Sequence, residues 1–485
     1  MWAFLYITFM GFCAAGTRAG AGFQWALPDE LQTNISSNVA LANLRRRTAS
    51  LNEWAVCDTA ARAQVCGHIL VVTPFAIAGV YSLGDRATQI AAVHVFDDMQ
   101  RSCGCGDDAK VSVIGPGGPN PPIFVGDKQV SFSRVDLSFR AVGEFSQRND
   151  LGTYSLIAIM GTDVLDGRYG KNERTHALAQ LATSAAAKGV LVTVLSFTYD
   201  RVDITDLSKF PQTTCFRPRS EGSAIVISKK LETPDHQCDG RPRVSRTADS
   251  VYMLQPRLPP RPWAQETIQW IQSQRSEKRF VLGVNLFMYP EARIHVPHNF
   301  PMVETLAKEL CSAAEAVTLS ILFIPHDFRK PGEDANVLRH VDGAIREHCG
   351  SVHLPTKLMN DGKPDEPDDE LAVVKELDLV VSGFMHLLII TSNSGTPVVA
   401  IHGQEKHTQL LRDLYGPEET RQKTLPHLEI QPTEIAAKAG AYSSFIVNAI
   451  RVAPQLRKIL VSGVQKMKAL SKANFEDIFD KRGCC

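Results

Sequence analysis

The strongest constraint on the fold of this chain is a repeated alternation of apolar, β-branched runs with amphipathic stretches. In the first half the runs fall at Ile69–Val72, Val111–Ile114, Leu156–Met160 and Val190–Leu195, with amphipathic stretches at Arg86–Met99 and Arg174–Lys188 between them. A run that is apolar throughout, rather than at every second position, belongs to a strand covered on both faces. Strands of that kind, separated by helices, build a parallel sheet with helices on each side. The second half repeats the pattern. Strands are expected at Phe280–Leu286, Val317–Ile324, Leu379–Val381 and Val398–Ile401. Helices are expected at Met302–Ala314, Ala335–His348, Glu370–Glu376, His386–Ser392 and Lys406–Leu414. The glycine- and proline-rich Gly115–Pro122 reads as an exposed loop. The acidic run from Asp361 to Glu370 reads as a solvated loop rather than a site. After residue 430 the chain reads as helical to its end.

A chain of 485 residues exceeds one ordinary core, and two α/β domains of roughly 150–200 residues are the natural division. The segment Gln255-Pro256-Arg257-Leu258-Pro259-Pro260-Arg261-Pro262 places four prolines in eight residues, a stiff extended stretch suited to a boundary. The expected architecture is therefore α/β: two Rossmann-like, doubly wound parallel-sheet domains at 23–255 and 265–425, a linker at 256–264, and C-terminal helices at 426–485.

Residues 1–22 are set apart. Met1 to Ala15 carries no charge, the first being Arg18, and small residues fall at Ala14 to Gly16 and Ala19 to Gly22. About 15 apolar residues is the size of a signal-peptide core and short of the ~20 needed to cross a bilayer. A secretory signal or short signal-anchor is expected, without the usual basic start. That implies a lumenal compartment, Golgi or endoplasmic reticulum, in which some of the 11 cysteines would form disulfides. Cys57 lies near Cys66, and Cys103 near Cys105, but pairing does not follow from spacing. Asn34-Ile35-Ser36 would then be a glycosylation site. The terminal Cys484-Cys485 resembles a prenylation end, but that chemistry is cytosolic, so both are read as unmodified. Lys plus Arg and Asp plus Glu each number 52. This balance lacks the basic excess of general nucleic-acid binding. Cys103-Gly-Cys105 has no second ligand pair at zinc spacing, so no metal site is expected.

In open parallel sheets, ligands bind at the carboxyl ends of strands. After the first strand comes Ser82-Leu83-Gly84-Asp85, with Asp85 placed to favour a helix start. After the third comes Gly161-Thr162-Asp163, and after the fourth Ser196-Phe197-Thr198. Arg217 and Arg219 flank Pro218 before an expected helix, and arginine binds carboxylate and phosphate through a planar fork. His326-Asp327 closes a strand in the second half. The most informative unit is Ser382-Gly383-Phe384-Met385-His386, continued by Gly395-Thr396-Pro397 and Lys406. A strand ends at Ser382-Gly383 and a helix opens near His386. The helix start favours an anion, His386 can move protons near neutral pH, and Lys406 brings a further positive charge.

These residues resemble the polysaccharide pyruvyl transferase family. Its serine–glycine–arginine–leucine–histidine element is matched by Ser382 to His386, its glycine–valine–proline strand start by Gly395-Thr396-Pro397, and its following lysine by Lys406. Ser82 to Asp85, Met160-Gly161-Thr162, Arg219 to Ser223, Thr247-Ala248-Asp249 and Ile324 to Asp327 also resemble family segments, in order, over about residues 68 to 415. Three positions depart from the pattern: Phe384 stands for an arginine, Ser82 for an asparagine and Ser220 for an aspartate.

The resemblance implies a fold of the layout used by many glycosyltransferases (GT-B-like), with the first domain on the acceptor side and the second on the donor side. It implies transfer of an enolpyruvyl unit from phosphoenolpyruvate to hydroxyls of a glycan sugar, giving a pyruvate ketal, with phosphoenolpyruvate as donor substrate and no cofactor. His386 is then the acid/base. Arg217, Arg219, Lys406, Ser382 and Gly383 bind the donor, and Gly84, Asp85 and Gly161 face the acceptor. His326 and Asp327 are further candidates. Two other readings stay open: a nucleotide-sugar glycosyltransferase of the same architecture, and a non-catalytic glycan-binding relative.

Overall fold

In the computed structural model the described residues run from 65 to 479, apart from loop segments of which 74–81, 117–122, 166–171, 200–206, 232–236, 287–300 and 418–427 are the longest. The expected signal segment, the Asn34 sequon, Cys57, Cys484 and Cys485 lie outside the described residues. Two six-stranded parallel sheets organise the chain, flanked by helices in the two-domain Rossmann-like manner.

The first sheet contains β1 (His68–Val72), β2 (Lys110–Gly115), β3 (Ser131–Arg134), β4 (Tyr154–Thr162), β5 (Leu191–Phe197) and β6 (Cys215–Pro218), in the spatial order β3-β2-β1-β4-β5-β6. All neighbours are parallel. The second sheet contains β7 (Phe280–Asn285), β8 (Leu319–Phe323), β9 (Thr356–Leu358), β10 (Leu379–Ser382), β11 (Val398–Ile401) and β12 (Glu429–Ile430), ordered β9-β8-β7-β10-β11-β12, again parallel throughout. Both have the strand order in which the winding reverses between the first and fourth strands.

The helices are α1 (Leu83–Ser102), α2 (Phe139–Arg148), α3 (Asn172–Ala186), α4 (Glu221–Lys230), α5 (Pro262–Ser276), α6 (Pro301–Ala316), α7 (Glu333–His348), α8 (Pro367–Val374), α9 (Met385–Asn393), α10 (Glu405–Tyr415), α11 (Pro432–Ala437) and α12 (Ala441–Phe479). The central strands are apolar because both faces are covered. Val281, Leu282 and Val284 of β7 and all four residues of β10 are buried. Among the described residues no helix is long and apolar enough to cross a membrane.

Helix α12 begins on the second domain and ends on the first. Glu309 of α6 accepts the backbone N–H groups of Gly440 and Ser443 (2.5 and 2.9 Å), so a carboxylate holds the positive end of the helix. At the far end Phe475 stands edge-on to Phe96 of α1, with ring centroids 5.2 Å apart. Asn474 Nδ2 donates to the carbonyl of Ala248.

The acidic run corrects the sequence reading. Residues from Pro367 form α8, and Glu366, Asp369 and Glu370 are buried rather than solvated. Each carboxylate is buried because a partner neutralises or bonds it. Glu366 meets Arg86 of α1 across the domain interface (Nε to Oε2 3.2 Å), Asp369 meets Arg261 (3.2 Å), and Glu370 accepts from His326 Nδ1 (3.2 Å). Disulfides join Cys66 to Cys105 and Cys311 to Cys349, and Cys103 and Cys215 are also disulfide-bonded.

Candidate functional site

The reversal point of each sheet opens a crevice at its carboxyl edge. In the first domain the chain leaves β1 there and enters α1; in the second it leaves β10 and enters α9. The two helix starts meet. A Cβ built on Gly84, in the first turn of α1, would lie 2.1 Å from Nδ1 of His386, in the first turn of α9. Only a residue without a side chain leaves room for the imidazole. The same helix start is fixed to the second domain by its backbone: Leu83 N–H donates to the His326 carbonyl (3.0 Å), and Ser82 bridges Asp327.

The turn entering α9 is held from within. Phe384 N–H donates to Ser382 Oγ (2.9 Å), and His407 Nε2 donates to the Gly383 carbonyl (3.0 Å). Ser382 and Gly383 thus shape the turn that presents His386. They do not line the pocket described below.

On its other side His386 meets Arg219 and Asp249. Arg219 follows β6. Its Nη1 donates to Asp249 Oδ2 (2.7 Å) and to His386 Nε2 (3.1 Å), and its Nε donates to Thr198 Oγ1 (2.6 Å). Asp249 Oδ2 lies 3.6 Å from His386 Nε2, and Oδ1 accepts the N–H of Val251 (3.0 Å). Side-chain exposure is 4% for Arg219, 2% for Asp249 and 14% for His386. Burial alone would raise the Asp249 carboxyl. The neighbouring His386, the charge of Arg219 and the Val251 N–H reverse this and hold it down, at about 2.

The backbone supports this corner. Ser196, at the end of β5, takes φ +52°, an uncommon conformation for a residue with a side chain, beside a register shift in the β5–β6 pairing. Its Oγ accepts the N–H of Ser250 (2.9 Å), next to Asp249. From the second domain, Asn393 Nδ2 donates to the carbonyls of Val251 and Leu254 (3.1 and 3.0 Å), and Ser392 bonds Tyr252 (3.1 Å). Helix α9 therefore grips the segment after Asp249 at its carboxyl end and presents His386 to Asp249 at its amino end.

Arg219 and Asp249 line a pocket between the domains with about 340 Å³ of space between atoms, part of it open solvent. Thr198 and Ser220 come from the first domain, Lys406 and Asp413 from α10, and Met467 from α12. Asp413 is paired with Arg246 (2.5 Å) and faces Lys466 (3.6 Å). Three helices begin here, since Ser220 caps α4 and Met385 and Lys406 lie in the first turns of α9 and α10. Of the residues singled out in sequence, Arg219 and Lys406 thus line one cleft; His386 is not among its lining residues and reaches it through its bond to Arg219.

Other candidates lie elsewhere. Arg217 is fully buried, its Nη1 donating to the carbonyls of Phe216 and Pro242 (3.1 and 3.2 Å). Arg217, within β6, is not among the residues that line the pocket. Gly161 opens no loop. It lies inside β4, where a Cβ would meet Phe197 Cβ at 2.6 Å, so it serves packing. Asp85 sits in the first turn of α1 beside the Gly84–His386 contact. His326 is fully buried, with its ring 5.3 Å from Phe384, and Asp327 is 7% exposed. Both backbone N–H groups donate to Asp334 Oδ2 (2.6 and 3.1 Å), whose carboxyl burial raises to about 6 against those bonds. This pair builds the loop that receives α1. Among the described residues no group of three His, Cys, Asp or Glu is arranged to hold a metal.

Sequence reasoning named Asp249 only as part of the Thr247-Ala248-Asp249 resemblance and gave it no role in the site. It lies 30 residues after Arg219, while Arg219 and His386 are 167 residues apart. The available signal was physical: a buried arginine beside a histidine requires an anion.

No family model matches the sequence, and no curated protein matches it. Solved structures of similar shape include a UDP co-structure of S. aureus MnaA, at 11% identity and TM-score 0.43, covering 80% of this chain and 97% of that one. A second is a UDP-N-acetylglucosamine 2-epimerase from Listeria monocytogenes, described as putative, at 8% identity and TM-score 0.44, covering 83% and 90%. A third is a family 9 glycosyl transferase from Veillonella parvula, at 13% identity and TM-score 0.37, covering 82% and 98%. These likenesses are distant, and the fold is read from the chain's own two sheets.

Proposed function

We propose that the chain is a glycan-modifying transferase that takes phosphoenolpyruvate as donor and forms a pyruvate ketal on two hydroxyls of a sugar. The supporting observation is that Arg219 and Lys406 line one interdomain pocket at the carboxyl ends of both sheets, with His386 bonded to Arg219. Phosphoenolpyruvate carries a carboxylate and a phosphate. A pocket where three helices begin, with two cationic side chains, favours such an anion. In the reaction a proton adds to the methylene carbon, giving a cation at the adjacent carbon. A first sugar hydroxyl attacks and loses its proton, phosphate departs with the bonding pair, and a second hydroxyl closes the ketal and loses its proton. His386, beside the pocket, is the residue placed to give and take protons. Gly84 admits its imidazole, and Ser382 and Gly383 hold the turn that carries it.

The disulfides fit an oxidising compartment, and a lumenal location belongs to the same proposal. The test is incubation of purified protein with phosphoenolpyruvate and a panel of galactosides. Phosphate release that depends on the sugar, and falls by about 10²–10⁴ in His386→Ala, is expected. No release across the panel would overturn the reading. Calorimetric binding of a nucleotide sugar, without binding of phosphoenolpyruvate, would favour a glycosyltransferase instead.

A further inference from the structure

We infer that Asp249 is the positioning residue of this site: its carboxylate, set against both Arg219 and Nε2 of His386, lets the imidazole carry a proton beside a guanidinium. The role of His386 in turnover rests on the proposed reaction; the charge relationship itself does not. Arg219 is a donor only. Its Nη1 lies 3.1 Å from His386 Nε2, so in this arrangement Nε2 is the accepting nitrogen and the ring proton sits on Nδ1, against Gly84. When a second proton reaches Nε2, that bond is lost and two cations face each other at the same distance. Like charges so close oppose protonation strongly. Asp249 Oδ2 resolves the conflict. It is 2.7 Å from Arg219 Nη1 and 3.6 Å from Nε2, within reach of the imidazolium after a small rotation.

Three other charged groups stand around this corner. Asp85 follows Gly84 in α1, and Lys406 and Asp413 of α10 line the same pocket with opposite signs. Asp249 is buried, capped into its own turn by the Val251 N–H, and held by α9 through Asn393. It keeps its charge and place whether His386 is neutral or cationic. A histidine acting as both acid and base needs such a neighbour.

The test is NMR titration of the His386 imidazole in the full chain, with the resonance assigned through His386→Gln. In Asp249→Asn the midpoint should fall by at least one pH unit, a tenfold loss of imidazolium at neutral pH. In Arg219→Gln it should rise. Asp249→Glu, which keeps the charge, should return the midpoint most of the way and serves if the asparagine variant does not fold. In the phosphoenolpyruvate assay the alkaline limb of kcat should move down with the midpoint while KM changes little. An unmoved midpoint in folded Asp249→Asn, or movement of both charge-removing variants in the same direction, would overturn the assignment. A moved midpoint in a chain that never turns over phosphoenolpyruvate would leave Asp249 in its place and remove only the reaction proposed around it.

Discussion

Gly84 and His386 belong to different domains, yet the absent side chain of one is the space occupied by the ring of the other. A Cβ on Gly84 would lie 2.1 Å from Nδ1 and 2.2 Å from Cγ, far inside van der Waals contact. Gly84→Ala should therefore destabilise the chain by about 1–3 kcal/mol, the usual cost of overpacking, and displace the imidazole from Arg219. In the His386→Gly background, which also removes the His386 Cβ lying 2.4 Å from the same point, the same change should cost nothing, or stabilise by up to about 1 kcal/mol, because alanine is the better helix residue. A double-mutant cycle on thermal midpoints measures the coupling. Equal effects in both backgrounds would mean that the two residues do not share this space.

What the sequence could and could not show has a physical pattern. The strands expected from apolar runs are the central four of each sheet, buried on both faces. The missed strands, β3, β6, β9 and β12, are the sheet edges. Edge strands are short and polar because one side lacks a partner. Ser131–Arg134 is mostly exposed, and Cys215–Pro218 contains an arginine and a proline. The same blindness hid that Arg217 lies within a strand. His386 and Lys406 were legible because a strand end followed by a helix start is a local pattern. Asp249, the packing of Gly161 and the burial of Glu366 were not, since each depends on a partner distant in sequence.

Arg86 and Glu366 join α1 to the start of α8 through two bonds, Nε to Oε2 (3.2 Å) and Nη2 to Oε1 (3.3 Å), with both side chains only 4% exposed. Burial raises the Glu366 carboxyl, and the Arg86 charge opposes this. Removing one partner leaves an uncompensated buried charge. Arg86→Met should destabilise by about 3–5 kcal/mol, and adding Glu366→Leu should recover most of that. Thermal unfolding of the two variants checks this. A double variant no more stable than Arg86→Met would show that the pair is not the isolated unit its geometry describes.

Helices α10 and α12 cross at Gly463, where a Cβ would sit 2.2 Å from the carbonyl oxygen of Leu414. Backbone cannot swing aside as a side chain can. Gly463→Ala should lower stability by about 1–3 kcal/mol despite its better helix propensity. Because Met467, one turn further along α12, lines the pocket, the variant should also weaken phosphoenolpyruvate binding several-fold. Calorimetry alongside thermal unfolding separates the effects, and a stabilised variant would place the helices further apart than described.

Asp249 should also set part of the acid stability. Its carboxyl is lowered from 3.8 to about 2 in the folded chain. A depressed folded value means that the unfolded chain binds the proton more readily. The contribution is therefore complete above about pH 5, is lost as pH falls towards 2, and amounts to roughly 2 kcal/mol. Asp249→Asn removes the charge at every pH, so Arg219 loses its partner even at neutral pH. The stability gap between the two proteins should be widest above pH 5 and should narrow as the wild-type carboxylate takes up its proton. Urea midpoints between pH 6 and the lowest pH at which both proteins stay folded measure the gap. A gap that stays constant below pH 4 would mean that Asp249 is not the depressed carboxylate and that Arg219 is balanced by another group.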